Sequence, residues 1–148
     1  MSKSGRYSAD RKKIESLTAA KTVEVSDCGT IFTLNLAGGF AVALPNASDA
    51  GNGWWCKFIV GTAPSGANYI INVTAADGDN LHGVTVFASG STDTPASSLS
   101  DSTAGTAVDQ INFVDGVALI GDQLELVCDG SSWFATAHTK SPLALTYD

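Results

Sequence analysis

Between Asp109 and Ala137, apolar and polar residues alternate in short runs that Asp-Gly and Gly-Asp pairs interrupt. In Gln123-Leu124-Glu125-Leu126-Val127-Cys128, the residues Leu124, Leu126 and Cys128 fall on one face, with Gln123 and Glu125 on the other. A period of two is what a half-buried strand requires, because successive side chains of an extended chain point to opposite sides. Asp115-Gly116, Gly121-Asp122 and Asp129-Gly130 break the run every six to eight residues. Gly and Asp tolerate the positive φ angles of tight hairpin turns. The pattern predicts an antiparallel meander with strands at 109–114, 117–120, 123–128 and 133–137.

The same signal recurs upstream. In 30–36, Phe32, Leu34 and Leu36 share a face; Gly38-Gly39 supplies a turn; Phe40, Val42 and Leu44 resume the inward side until Pro45 ends the strand. A polar loop follows at 46–53, then Trp54-Trp55-Cys56-Lys57-Phe58-Ile59-Val60. That run is apolar on both faces, so it lies between layers or turns one face to another chain. Trp54 and Trp55 are adjacent and point in opposite directions, so at least one of them is a candidate interface anchor; with Ile59 they are the oligomer-interface candidates. Short strands follow at 69–73 and 84–87. The segment 89–108 has no strand pattern and reads as a surface excursion with its apex near Pro95–Ser102. Leu143, Leu145 and Tyr147 share parity and suit one further strand. With 148 residues and 15 glycines, the chain fits one all-β domain able to bury a core without staples.

Charge is segregated. Residues 1–21 hold six bases and two acids, net +4; the other 127 hold two bases, Lys57 and Lys140, and thirteen acids, net −11. This divides the chain into a basic N-terminal arm (1–21), a body (22–138) and a tail (139–148). The acidic body has no Lys/Arg stripe and would repel nucleic acid, so no nucleic-acid partner is expected. Within the arm, Asp10 is placed to cap a short helix that sets Ile14 and Leu17 on one face. The other reading is a disordered tail.

No run reaches the eighteen or so apolar residues of a membrane span, and no membrane partner is expected. The basic N-terminus lacks an apolar run behind it, so no secretory signal is expected and assembly is placed in the cytoplasm. Cys28, Cys56 and Cys128 are widely spaced, without the close pair of a small metal site; Cys56 and Cys128 share parity with core residues and read as small hydrophobes. Asp77-Gly78-Asp79-Asn80 lacks the closing Glu of a calcium loop and reads as a turn. His82 and His138 belong to no motif presenting a nucleophile, second ligand or phosphate loop. No catalytic residue, cofactor or metal is expected, and the chain is not expected to be an enzyme. Its tryptophans and tyrosines would suit sugar rings on a β-sandwich, without a specific signal for them.

Taken together, several segments resemble the small virion proteins of tailed bacteriophages known as head decoration or capsid cement proteins. These are Gly29–Leu34, Ala37–Pro45, Gly53, Lys57–Val60, Ala63-Pro64, Gln110–Val114 and Gly121–Trp133. The resemblance covers roughly Gly29 to Ala137. It implies an antiparallel, jelly-roll-like β-sandwich that forms homotrimers on the capsid exterior, after synthesis in the host cytoplasm. The implied partners are copies of the chain and the phage's major capsid protein. On this basis Arg6, Tyr7, Arg11, Lys12, Lys13, Ile14 and Leu17 are the capsid-contact candidates. The basic arm would reach an acidic patch on the shell, with Ile14 and Leu17 in a groove. The competing class is a receptor- or glycan-binding module of a tail fibre or head spike.

Overall fold

The computed structural model describes residues 11–78, 80–87 and 107–148. Within them, β1 (Lys13–Leu17), β3 (Thr30–Leu34), β5 (Asn52–Val60), β7 (Leu81–Phe87), β9 (Gln123–Asp129) and β10 (Trp133–Thr139) form one sheet, in the order β1-β3-β5-β9-β10-β7. The second sheet runs β11-β8-β6-β4-β2, from β2 (Lys21–Thr22), β4 (Phe40–Ala43), β6 (Tyr69–Asn72), β8 (Gln110–Phe113) and β11 (Leu145–Tyr147). A short 3-10 helix (Val25–Asp27) and a one-turn helix, α1 (Ala47–Ala50), sit in the connections.

From β1 to β6 the chain alternates between the sheets, making three successive coils. Each strand therefore returns in its original direction beside its predecessor, which is why β1, β3 and β5 stack in parallel, as do β2, β4 and β6. Parallel neighbours need a crossover; here the crossover is a strand of the opposite sheet. The later strands close the structure: β9 runs antiparallel to β5, β10 forms a hairpin with β9 and lies parallel to β7, and β8 runs antiparallel to β6 and β11.

The body is thus mostly β with two mixed sheets, and five of the nine ladders among the described residues are parallel. This corrects the expectation of an antiparallel body. A jelly roll is built from two antiparallel Greek keys; the coils put parallel ladders in their place. The signal that misled is real but local: period-two alternation states which face a residue takes, not which neighbour its strand adopts.

The predicted inward faces form one core drawn from both sheets. Phe32, Leu34, Val42, Leu44, Cys56, Phe58, Tyr69, Ile71, Leu124, Leu126 and Trp133 are fully buried. Phe32 stacks on Phe58, and Phe40 meets Tyr69 edge-on from the rim. Leu36, expected inside, is exposed because the chain has left β3 and turns there; its N–H donates to Tyr69 Oη.

The meander holds only as the β9–β10 hairpin. β8 belongs to the second sheet, and 117–120 is a turn. Asp122 explains that turn: one carboxylate oxygen accepts the Leu119 N–H at 2.8 Å and the other the Lys140 N–H at 2.9 Å. The chain therefore folds back on itself where a strand was predicted.

The N-terminal helix is also corrected. Residues 13–17 form edge strand β1, in which positions three apart face opposite ways. Leu17 enters the core at 5% exposure while Ile14 stands 65% exposed. Asp10, its expected cap, lies outside the described residues, as do Arg6 and Tyr7 and nearly all of the 89–108 segment. The tail prediction succeeds for Leu145 and Tyr147, which pair with β8, whereas Leu143 remains exposed beyond the strand.

Candidate functional site: the outer face of the six-stranded sheet

Strand register arranges the outward side chains of the large sheet in rows. In the first row Trp55 stands opposite Val127, Val127 opposite Phe134, and Phe134 opposite His82. The second row is Ile14, Ile31, Lys57, Glu125, Thr136 and Val84; the third runs Thr33, Ile59, Gln123, His138 and Val86. Phe134 and Val86 are each about half exposed, and the imidazole of His82 stacks on the Phe134 ring at 5.8 Å. An isolated exposed leucine means little, but contiguous apolar side chains on one face mark a contact surface.

A groove of about 380 Å³ lies between Trp55, Ile31, Val127 and Lys12, walled by Lys57 and Glu125. The same Lys57 and Glu125 border a smaller pocket of about 150 Å³ with Gln123, Thr136 and His138. The two lie side by side across β5, β9 and β10, the first mainly apolar and the second polar. The turn at Gly29 lies against the Trp55 indole, and its N–H donates to Trp55 O at 2.8 Å. The side chains of Lys57, Gln123, Glu125, Thr136 and His138 hydrogen-bond to no described residue, so their donors and acceptors are uncommitted.

This face gathers residues that the sequence assigned to separate contacts. Lys12, a capsid candidate, lines the groove beside Trp55, an oligomer candidate; Ile14 and Ile59 lie on the same face. Arg11 is exposed at the start of the described chain. Leu17 and Trp54 are not available for docking. Trp54 is 3% exposed, meets Trp133 edge-on at 5.4 Å and donates its indole N–H to Val25 O at 2.8 Å. Lys13 is engaged at home, with Asp27 at 3.4 Å and Glu15 at 4.0 Å. Lys21 completes that cluster through Glu15 at 3.1 Å and Asp27 at 3.5 Å. Burial pulls the Lys21 pKa down, but its bond to Glu15 and the field of Asp27 outweigh this and hold it above its ordinary value. The N-terminal strands are therefore fastened to the body by ion pairs as well as by Leu17.

Val127, Phe134, His82, Val84 and Val86 were missed as a group. The signal was present at outward positions: Phe134 sits between the inward Trp133 and Ala135, and Val127 breaks the polar series begun by Gln123 and Glu125. Only the pairing of β10 with β7 makes these residues neighbours, and that parallel ladder joins segments some fifty residues apart.

Chemically the face is suited to adhesion. Among the described residues no group of three or more His, Cys, Asp or Glu is placed to hold a metal ion. Burial pushes the Cys56 and Cys128 thiols up, away from the reactive thiolate. No described helix is long and apolar enough to cross a membrane. Comparison with protein-family models, with curated proteins and with solved structures gives no match.

Proposed function

We propose that the protein is a virion structural protein that decorates the outside of a bacteriophage capsid and stabilises it. In this reading it acts as a homotrimeric β-sandwich bound non-covalently to the major capsid subunits. The observation that carries the reading is the broad outer face, where the apolar row of Trp55, Val127 and Phe134 stands beside the polar Lys57, Glu125 and Thr136, with Lys12 and Ile14 at one edge. The sequence resemblance supplies the particle, and a core drawn from both sheets supplies the rigidity that cementing neighbouring subunits requires. Contacts that are weak singly suffice when linked chains engage together, because each then acts at high effective concentration. No catalytic step enters this role, and the protein works without a cofactor.

One observation favours the second reading, a receptor- or glycan-binding module. The Trp55 groove offers an aromatic floor with uncommitted amide, hydroxyl and imidazole groups beside it. Sugar rings stack on such floors, with polar side chains taking their hydroxyls.

The test is addition of the purified chain to empty, expanded phage shells. Saturation at fixed stoichiometry with a raised shell melting temperature supports decoration. No binding to any shell, with glycan-array signal that Trp55→Ser abolishes, selects the second reading instead. The arm is best tested by removing residues 1–11 alone, because a longer deletion takes Leu17 and β1 from the fold.

A further inference from the structure

We infer that the outer face of the six-stranded sheet binds a second copy of this chain, with Lys57 of one copy meeting Glu125 of the next. The inference rests on the oligomeric part of the proposed function but needs no shell.

Three observations lead there. The first is where apolar surface is left uncovered. Of the ten large apolar side chains that stand exposed among the described residues, Ile14, Val84, Val86, Val127 and Phe134 all lie on this face. On the other sheet the outward positions Ala41, Ala43, Ile70, Asn72 and Thr146 offer one large apolar side chain, Ile70, and it is partly buried. The second observation is the size of the face. Six strands about 4.8 Å apart, the longest rising about 3.3 Å per residue over seven to nine residues, give roughly 500–600 Å² in projection. That approaches the 800 Å² or so that each partner buries in a standard interface, so the association should depend on concentration.

The third observation selects the occupant. Beyond residue 21 the chain is net −11, so copies repel one another over most of their surface. Lys57, one of the two bases in that part of the chain, stands on this face directly across the ladder from Glu125. The two form no ion pair, and neither side chain has another hydrogen-bond partner among the described residues. A wholly acidic partner would leave Glu125 facing like charge, and a wholly basic one would do the same to Lys57. A copy of the same face answers both. An inverted pair satisfies the match, and so does a closed ring of three in which Lys57 serves one neighbour and Glu125 the other. Such pairing selects partner and register more than it adds affinity. The affinity comes from Trp55, Val127 and Phe134, the aromatic and aliphatic groups that carry binding energy when water is excluded around them.

Sedimentation velocity and light scattering of the full chain over a wide concentration range test this. The expected result is reversible self-association that Phe134→Ser weakens by roughly tenfold or more, the effect of truncating an interface anchor. Lys57→Glu and Glu125→Lys should each weaken it, with a small loss of thermal stability from the like charges now opposite across the ladder, and the double exchange should restore both association and melting. A monomer at every concentration overturns the inference. So do single charge variants that associate like the wild type, or a double exchange no better than either single. A persistent monomer that still saturates shells removes this inference and leaves decoration standing. A self-associating chain that ignores every shell does the reverse.

Discussion

The phenol of Tyr147 on β11 reaches across the core to Thr85 on β7, Oη to Oγ1 at 2.6 Å, joining the last strand of one sheet to the edge strand of the other. Its ring lies against Gly83, where a Cβ would collide with the ring edge. A glycine in a strand interior weakens the strand unless something must approach closely; here the approaching group is Tyr147. Gly83→Ala should therefore destabilise the fold by about 1–3 kcal/mol through overpacking. Tyr147→Phe keeps the packing and leaves the buried Thr85 hydroxyl without this bond, a loss of about 1–2 kcal/mol. Urea midpoints should fall in both variants without a change of slope.

Trp54 and Trp55 separate two roles that adjacency in sequence runs together. Trp54→Ser removes a core aromatic that touches Trp133 and satisfies Val25 O, and should cost about 3–5 kcal/mol. Trp55→Ser acts on the outer face, where the indole is only partly buried, and should cost less, about 1 kcal/mol of folding stability. Chemical denaturation of dilute protein gives both values. Equal losses would mean that the indole of Trp55 is as structural as that of Trp54.

What the sequence made legible was the side of each strand. Leu124, Leu126 and Cys128 are buried, Gln123 and Glu125 face out, and Trp54 and Trp55 part company as extended geometry demands. What it hid was partnership. Nothing in Lys13–Leu17 announces that β1 will lie beside Thr30–Leu34 rather than beside β2, because parallel pairing joins segments whose only link is the length of a coil. The outer face was hidden for the same reason: Val127, Phe134 and His82 become one row only after β9, β10 and β7 are in register. The turn at 117–120 failed differently. Val117, Ala118, Leu119 and Ile120 have strand-like composition, and a single carboxylate, Asp122, overrides it.

Among the described glycines, Gly39 is the least open to replacement. It sits at φ +67°, and a Cβ there would strike the backbone carbonyls of Ala67 and Asn68. Backbone cannot swing aside as a side chain can, so left-handed strain and collision add. Gly39→Ala should cost about 2–4 kcal/mol. Gly78→Ala is the control: it shares the positive φ but has open space around the Cβ position, and should cost only about 1 kcal/mol. Equal thermal-melting losses in the two variants would show that the close approach to 67–68 does not matter.

The ion-pair cluster at the start of the body sets a pH window. Burial tends to raise the pKa of Asp27, but the Glu24 N–H at 3.0 Å and the ammonium groups of Lys21 and Lys13 overcome it and hold the carboxyl below its ordinary value. A depressed folded pKa stabilises above the unfolded value, about 3.9 for Asp, and that contribution is lost as pH falls through the folded value. Lys21 is shifted the opposite way: its contribution is complete below about 10.4 and lost only as pH rises beyond its raised folded value. Asp27→Asn should thus cost about 1–2 kcal/mol across a plateau from roughly pH 5 to 9, with Lys21 keeping Glu15 as a partner. Below about pH 4 the gap between wild type and variant should narrow, because the wild-type carboxylate is then protonated too. Melting curves of the two proteins across that range decide it: a gap as wide at low pH as on the plateau would mean that Asp27 stabilises the strand β1 by its shape and not by its charge.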